Sequence, residues 1–199
     1  MKRLLNLLLV MAVGCSHSET PLETAGPSTQ ADASSRTVKS NDPLAVIEEL
    51  GGKTVRNEQD VIVQLDLDNT QCNDEALSHL TSWPQLQELW LDGTKITDSG
   101  LARLSHLKEL TLLTLNETPI TDTGLAQIAV LHQLQGLYLE STQITDAGLA
   151  HLKALTKLEQ LSLIDDPITD AGLVHLADLT SLKTLAFGGS AITDAGLVH

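Results

Sequence analysis

Aspartate returns every 24 residues in the second half of this chain, at Asp74, Asp98, Asp122, Asp146, Asp170 and Asp194. A row of carboxylates at one pitch suits two chemistries. It can hold calcium ions, which take oxygen ligands. It can also cap helices, each carboxylate facing the free N–H groups and the positive dipole end of a first turn. Calcium loops of repeat proteins need glycine-rich turns between the aspartates, and none are present. A threonine before five of the six aspartates and an LxxL pattern behind them favour caps. His79, His151, His175 and His199 share another repeat position, with Arg103 and Gln127 between them. The position is expected to face outward, and no second ladder of ligands completes a metal site. Neither a metal nor a cofactor is expected. The sequence holds no nucleophile–base pair, no glycine-rich phosphate loop and no HExxH motif.

A third set of residues suits recognition. Asp66, Asp68, Glu88, Trp90, Asp92, Tyr138 and Glu140 fall where short strands should turn their side chains away from the core. Aromatic residues are enriched among binding hot spots, and the acids around Trp90 and Tyr138 would attract cations. Solvated strands with two chance aromatics would look the same in sequence.

The elements that position these residues repeat. Ile96-Thr97-Asp98-Ser99-Gly100-Leu101 recurs at Ile120, Ile144, Ile168 and Ile192, with a worn copy at Cys72. Between copies runs a second pattern, as in Leu134-Gln-Gly-Leu137-Tyr-Leu139-Glu-Ser-Thr142-Gln-Ile144. Leu137 and Leu139 alternate with outward residues, the period of a strand, while Leu149, Leu152 and Leu155 follow at helical or 3₁₀ spacing. One unit cannot bury its apolar side alone, but stacked units can. The glycine of each copy falls in a helical turn that disfavours it, which predicts close approach of adjacent coils. Trp83 stands at a leucine position and Cys72 at an isoleucine position, so both are expected in the core.

The LxxLxLxxTxI pattern resembles the leucine-rich repeat family, with threonine, aspartate or serine (Thr70, Thr94, Thr118, Thr142, Asp166, Ser190) for the usual asparagine. The ITDxGL units look most like those of secreted bacterial members. The resemblance implies an α/β solenoid, a horseshoe with a parallel β-sheet on its concave face and short helices on its convex face. It covers residues 61–199. Residues 43–60 read as an N-terminal cap: Asp42 and Pro43 start a helix, Leu44, Ile47 and Leu50 share a face, and Gly51-Gly52 end it. No such cap follows at the other end, so the strand around Leu182 to Phe187 is expected to leave an open edge that frays and self-associates.

Composition narrows the partners. Leucine supplies 39 of 199 residues, whereas Phe, Trp and Tyr together supply four, so the core must be aliphatic. A formal net charge of -14 opposes phosphate binding and polybasic membrane contact, which excludes nucleic acid. Two cysteines make neither a disulfide framework nor a four-ligand zinc site.

The N-terminus reads as an address. Lys2 and Arg3 precede an apolar stretch, Leu4 to Val13, that is too short to span a bilayer and has the shape of an export signal. Its end, Ala12-Val13-Gly14-Cys15, resembles the lipobox of bacterial lipoproteins. The resemblance implies removal of residues 1–14 and lipidation of Cys15. Residues 15–42 then form a tether, rich in Ser and Thr and too poor in apolar groups to order itself. Ser16 after the cysteine points to the outer rather than the inner membrane.

These observations converge on a non-enzymatic module, lipid-anchored in the cell envelope, that binds a basic protein or peptide on its acidic concave face. Two alternatives remain in sequence: a structural protein that associates through its uncapped end, and an envelope carbohydrate hydrolase using two of the carboxylates. Cys15→Ser should leave the protein unprocessed or free of membranes in a fractionation experiment. Normal cleavage with unchanged membrane partitioning would refute the anchor.

Overall fold

The computed structural model describes residues 8–11, 42–188 and 191–198. The chain enters through helix α1 (Pro43–Glu49), whose Asp42 side chain accepts the Leu44 N–H at 3.2 Å and whose Val46 and Ile47 are buried. Strand β2 (Lys53–Arg56) then pairs antiparallel with β3 (Ile62–Asp66), and together they close the first end of the core. From there each 24-residue unit adds one short parallel strand: β4 (Glu88–Trp90), β5 (Leu112–Thr114), β6 (Gly136–Tyr138), β7 (Gln160–Ile164) and β8 (Thr184–Gly188).

The pairing register carries Leu65, Leu89, Leu113, Leu137, Leu161 and Leu185 in one line, all buried. Leu67, Leu91, Leu115, Leu139 and Leu163 follow, then Cys72, Ile96, Ile120, Ile144 and Ile168, also buried. Each such side chain contributes about 1.5–3 kcal/mol, so stacking of aliphatic lines is the main source of stability. Trp83 packs partly buried against this core, and burial pushes the Cys72 thiol up to about 12.

The convex side corrects the sequence-based assignment of the aspartates. Helices α2 (Asp98–Leu101), α3 (Asp122–Ile128), α4 (Asp146–Leu149) and α5 (Asp170–Leu173) are capped by threonine: the Thr97, Thr121, Thr145 and Thr169 hydroxyls accept the N–H two residues on. The aspartate at the first helical position turns to the next coil instead. Asp74 Oδ1 accepts the Thr97 N–H at 2.8 Å, and Asp74 Oδ2 accepts the Thr97 hydroxyl at 2.6 Å. The same pair of bonds joins Asp98 to Thr121, Asp122 to Thr145, Asp146 to Thr169 and Asp170 to Thr193. All but α3 pass directly into 3₁₀ turns, at Ala102–His106, Ala150–Ala154 and Val174–Leu176. Among the described residues no helix is long and apolar enough to cross a membrane.

The far edge of the sheet also differs from expectation. Sequence leaves the outer side of β8 open. In the structure a strand β1 (Leu8–Met11) runs parallel along it, with Leu8 opposite Thr184 and Met11 opposite Phe187. Unpaired N–H and C=O groups of a parallel edge demand a partner; in the unprocessed chain this apolar segment supplies one, and cleavage before Cys15 would take it away. Cys15 and residues 12–41 lie outside the described residues, as do Ser190 and His199.

The glycine of each unit makes room for the carboxylate of the coil before it. A Cβ at Gly148 would collide with Asp122 Oδ1 and stand 3.3 Å from Asp122 Cα. Gly148→Ala should therefore cost about 1–3 kcal/mol in urea unfolding. Combined with Asp122→Ala it should cost less than the sum of the two changes by at least ~0.5 kcal/mol. Strict additivity would mean that the carboxylate is not what excludes a side chain.

Candidate binding face

Alternation along the strands turns every second residue away from the core, and the register aligns these residues in columns across the sheet. One column runs Gln64, Glu88, Leu112, Gly136, Gln160, Thr184. The next runs Asp66, Trp90, Thr114, Tyr138, Ser162, Ala186. A third, Asp68, Asp92, Asn116 and Glu140, lies just beyond the strand ends and continues to Ile164 and Gly188. The structure thus brings all seven sequence-selected residues onto one face.

It does not leave all seven free. Sequence treats the outward residues as unneeded for packing, but the third column ties the coils together. Asp68 Oδ1 accepts the Asp92 N–H at 2.8 Å, and Asp92 Oδ1 accepts the Asn116 N–H at 2.9 Å. Asn116 Oδ1 then accepts the Glu140 N–H at 2.8 Å. Beyond the strand ends these N–H groups take the side chain one coil back as their acceptor, and a short carboxylate or amide has that reach. Burial raises the Asp68 pKa above its usual value; the Asp92 N–H opposes this, while the Asp92 and Asp66 charges add to it. Asp66 accepts the Asp68 N–H at 3.1 Å and pairs with Lys53 at 3.2 Å. Glu140 accepts the Ser162 hydroxyl at 2.7 Å.

The remaining members are less committed. Trp90, Glu88 and Tyr138 are each half-buried. The Tyr138 hydroxyl donates to Gln160 Oε1 at 2.5 Å. Between Trp90 and Tyr138 in the register stands Thr114, only 6% exposed, with no hydrogen-bond partner for its hydroxyl. Thr114 is not among the residues the sequence singles out. The available signal was its position 24 residues from each of the two outward aromatics.

One buried acid lies beyond this face. Asp166 occupies the column where Thr70, Thr94 and Thr118 donate their hydroxyls to the carbonyl three residues back. A carboxylate cannot donate. Asp166 Oδ1 instead accepts the Thr142 N–H at 2.8 Å and its hydroxyl at 2.9 Å, while buried Oδ2 has no partner. Burial drives its pKa up to about 6, the two Thr142 bonds pull it back, and the Asp165 and Glu140 charges push it further up.

A parallel sheet of one strand per 24-residue coil, backed by capped short helices, defines a leucine-rich repeat solenoid. The chain is similar to two internalins of Listeria monocytogenes. It shares 29% identity with internalin inlF over 61% of this chain and 34% of that one, at a TM-score of 0.54. It shares 27% identity with internalin C2 over 77% of this chain and 75% of that one, at a TM-score of 0.53. The chain thus spans about a third of the first neighbour's length and three quarters of the second's. No family model and no curated protein sequence matches it.

Asp166 gives stability a defined pH dependence. Its folded pKa lies above the usual carboxylate value of 3.8. The folded chain therefore holds a proton that the unfolded chain releases, and stability falls as pH rises from about 4 to about 6. The loss is at most about 3 kcal/mol and is complete above that window. Asp166→Asn keeps the acceptor for Thr142 and removes the charge. Urea midpoints of this variant should lose that part of the slope and exceed those of the parent chain at pH 7.

Proposed function

We propose that this chain is a protein- or peptide-binding module that uses its concave sheet, acts without covalent chemistry, and is held to a bacterial envelope by a lipid on Cys15. The observation that carries the reading is the placement of Trp90 and Tyr138 on one outward column two strands apart, with Asp66, Asp68, Glu88, Asp92 and Glu140 beside them. No position in the three columns is Lys or Arg. A ligand with exposed cations would meet a complementary field along the sheet from β3 to β6.

Binding is favoured over hydrolysis by where the carboxylates are spent. Asp68 and Asp92 hold backbone N–H groups of the next coil, and Asp66 is paired with Lys53. A general acid and its partner need mobile protons and a shared substrate position, whereas these groups act as fixed acceptors. The similarity to internalins supports a repeat surface as the working part. The ligand is basic in this reading, and the anchor places it at the outer membrane.

The test is ligand capture by the full chain, cross-linked in intact cells, compared between the parent, the Trp90→Ala/Tyr138→Ala pair, and a convex control, Arg103→Ala, in the exposed 3₁₀ turn Ala102–His106. The aromatic pair should lose a captured partner by tenfold or more, since central aromatic anchors typically carry ~2 kcal/mol or more each. The control should not. A partner retained by the aromatic variant and lost by the control would move the binding face to the convex side.

A further inference from the structure

A buried hydroxyl without a partner is costly, because it forfeits its hydrogen bonds to water and gains none from the protein. Thr114 is in that state, in the middle of an otherwise well-bonded sheet. Its fold does not ask for it. The strand needs only a β-branched side chain, which valine supplies with the same shape. What distinguishes the position is its surroundings. Trp90 and Tyr138 flank it in register, one strand away on either side. At roughly 9–10 Å between their backbones, the two aromatics admit one inserted side chain that touches both. Gly136 lets the Leu112 side chain and the Tyr138 ring close over it: a Cβ there would meet Leu112 Cδ1 at 2.7 Å and Tyr138 Cε2 at 3.5 Å.

We propose that Trp90, Thr114 and Tyr138 form a slot for one arginine side chain of the ligand, which donates an N–H to Thr114 Oγ1 and lies against the two rings. The proposal rests on the concave-face reading above and names its central contact. Three features select arginine. The orphaned oxygen can accept from an N–H donor. Ring faces attract cations, and a planar guanidinium stacks on them with less desolvation than a compact ammonium. The negative charges of Glu88, Asp92 and Glu140 stand on the same face, two residues along from Trp90 or Tyr138, and the basic Lys53 beside them is paired with Asp66. Opening the hydroxyl requires the half-buried rings to rotate, with the Tyr138–Gln160 hydrogen bond given up for the contacts of the guanidinium.

The experiment uses the full chain carrying Trp83→Phe, so that Trp90 is its one indole. Indole fluorescence is titrated with three acetylated, amidated pentapeptides, Gly-Gly-X-Gly-Gly, where X is arginine, lysine or citrulline. The arginine peptide should shift the Trp90 emission saturably. Citrulline keeps the shape and loses the charge, and should bind about tenfold more weakly or less. Lysine should fall between them. Thr114→Val should weaken the arginine peptide about tenfold while raising the thermal midpoint by ~2–4 °C, since it removes the unpaired hydroxyl. A valine variant that binds arginine as the parent does overturns the slot. So does citrulline equal to arginine, or lysine equal to arginine, or an arginine peptide that leaves Trp90 undisturbed. If the slot fails while Trp90→Ala/Tyr138→Ala still loses its captured partner, the concave face stands and only its central contact is wrong. If both fail, the face itself is wrong.

Discussion

One carboxylate ties each coil to the next, and the rest of the array is arranged around it. Asp98 receives both the N–H and the hydroxyl of Thr121, and the Thr121 hydroxyl in turn accepts the Thr123 N–H. A hydroxyl has one proton to give and lone pairs to receive, so threonine serves the previous coil and its own helix at once. Alanine could do neither. The Asp98 side chain lies where a Cβ on Gly124 would be, so the glycine is required by the aspartate of another coil and not by its own helix. The unit Ile-Thr-Asp-x-Gly-Leu is thus a single device: two apolar residues for the core, and three between them that fix the spacing of neighbours.

Burial and bonding divide the labour. The leucine lines supply most of the free energy, but apolar contact has little direction, and one leucine line could slide against another. A parallel ladder slipped by one residue would turn every core leucine outward. The Asp–Thr pairs on the convex side and the Asp68–Asp92–Asn116–Glu140 chain at the strand ends pin each coil at two places. The left-handed residues Asn69, Glu117, Ser141 and Asp165, with Gly93 in the same series, turn the chain between those pins. Only Gly93 adopts that conformation without steric cost, so the regular turn is imposed on the others by the bonds around it.

The solenoid was legible in the sequence because its cause is periodic: strand alternation, helical spacing and a 24-residue repeat all point to one architecture. The cap at Asp42 and Pro43 was legible for a local reason, since an N-cap and its helix are adjacent. The ladder aspartates were misassigned because the cap argument looks only a few residues ahead, whereas their partner stands 23 residues on. The third outward column was misjudged in the same way: its acceptors serve backbone 24 residues away. The free state of Thr114 could not be read at all, because a missing hydrogen bond leaves no mark in the sequence. The pairing of Leu8–Met11 with β8 is equally silent, since the two segments share neither repeat nor proximity along the chain.

The same bonds that hold the coils shape what the concave face can recognise. Asp68 and Asp92 lose mobility by accepting backbone N–H groups, so in the proposed reading this edge of the face would need little ordering when a ligand arrives. The face is also graded along the array. Acids and aromatics occupy the columns from β3 to β6, while β7 and β8 offer Ser162, Ala186, Ile164 and Gly188. An extended ligand laid across the sheet would therefore meet charge and ring surface at one end and a small, neutral surface at the other. That asymmetry gives such a ligand a preferred direction, which neither a uniformly acidic sheet nor the repeat itself could supply.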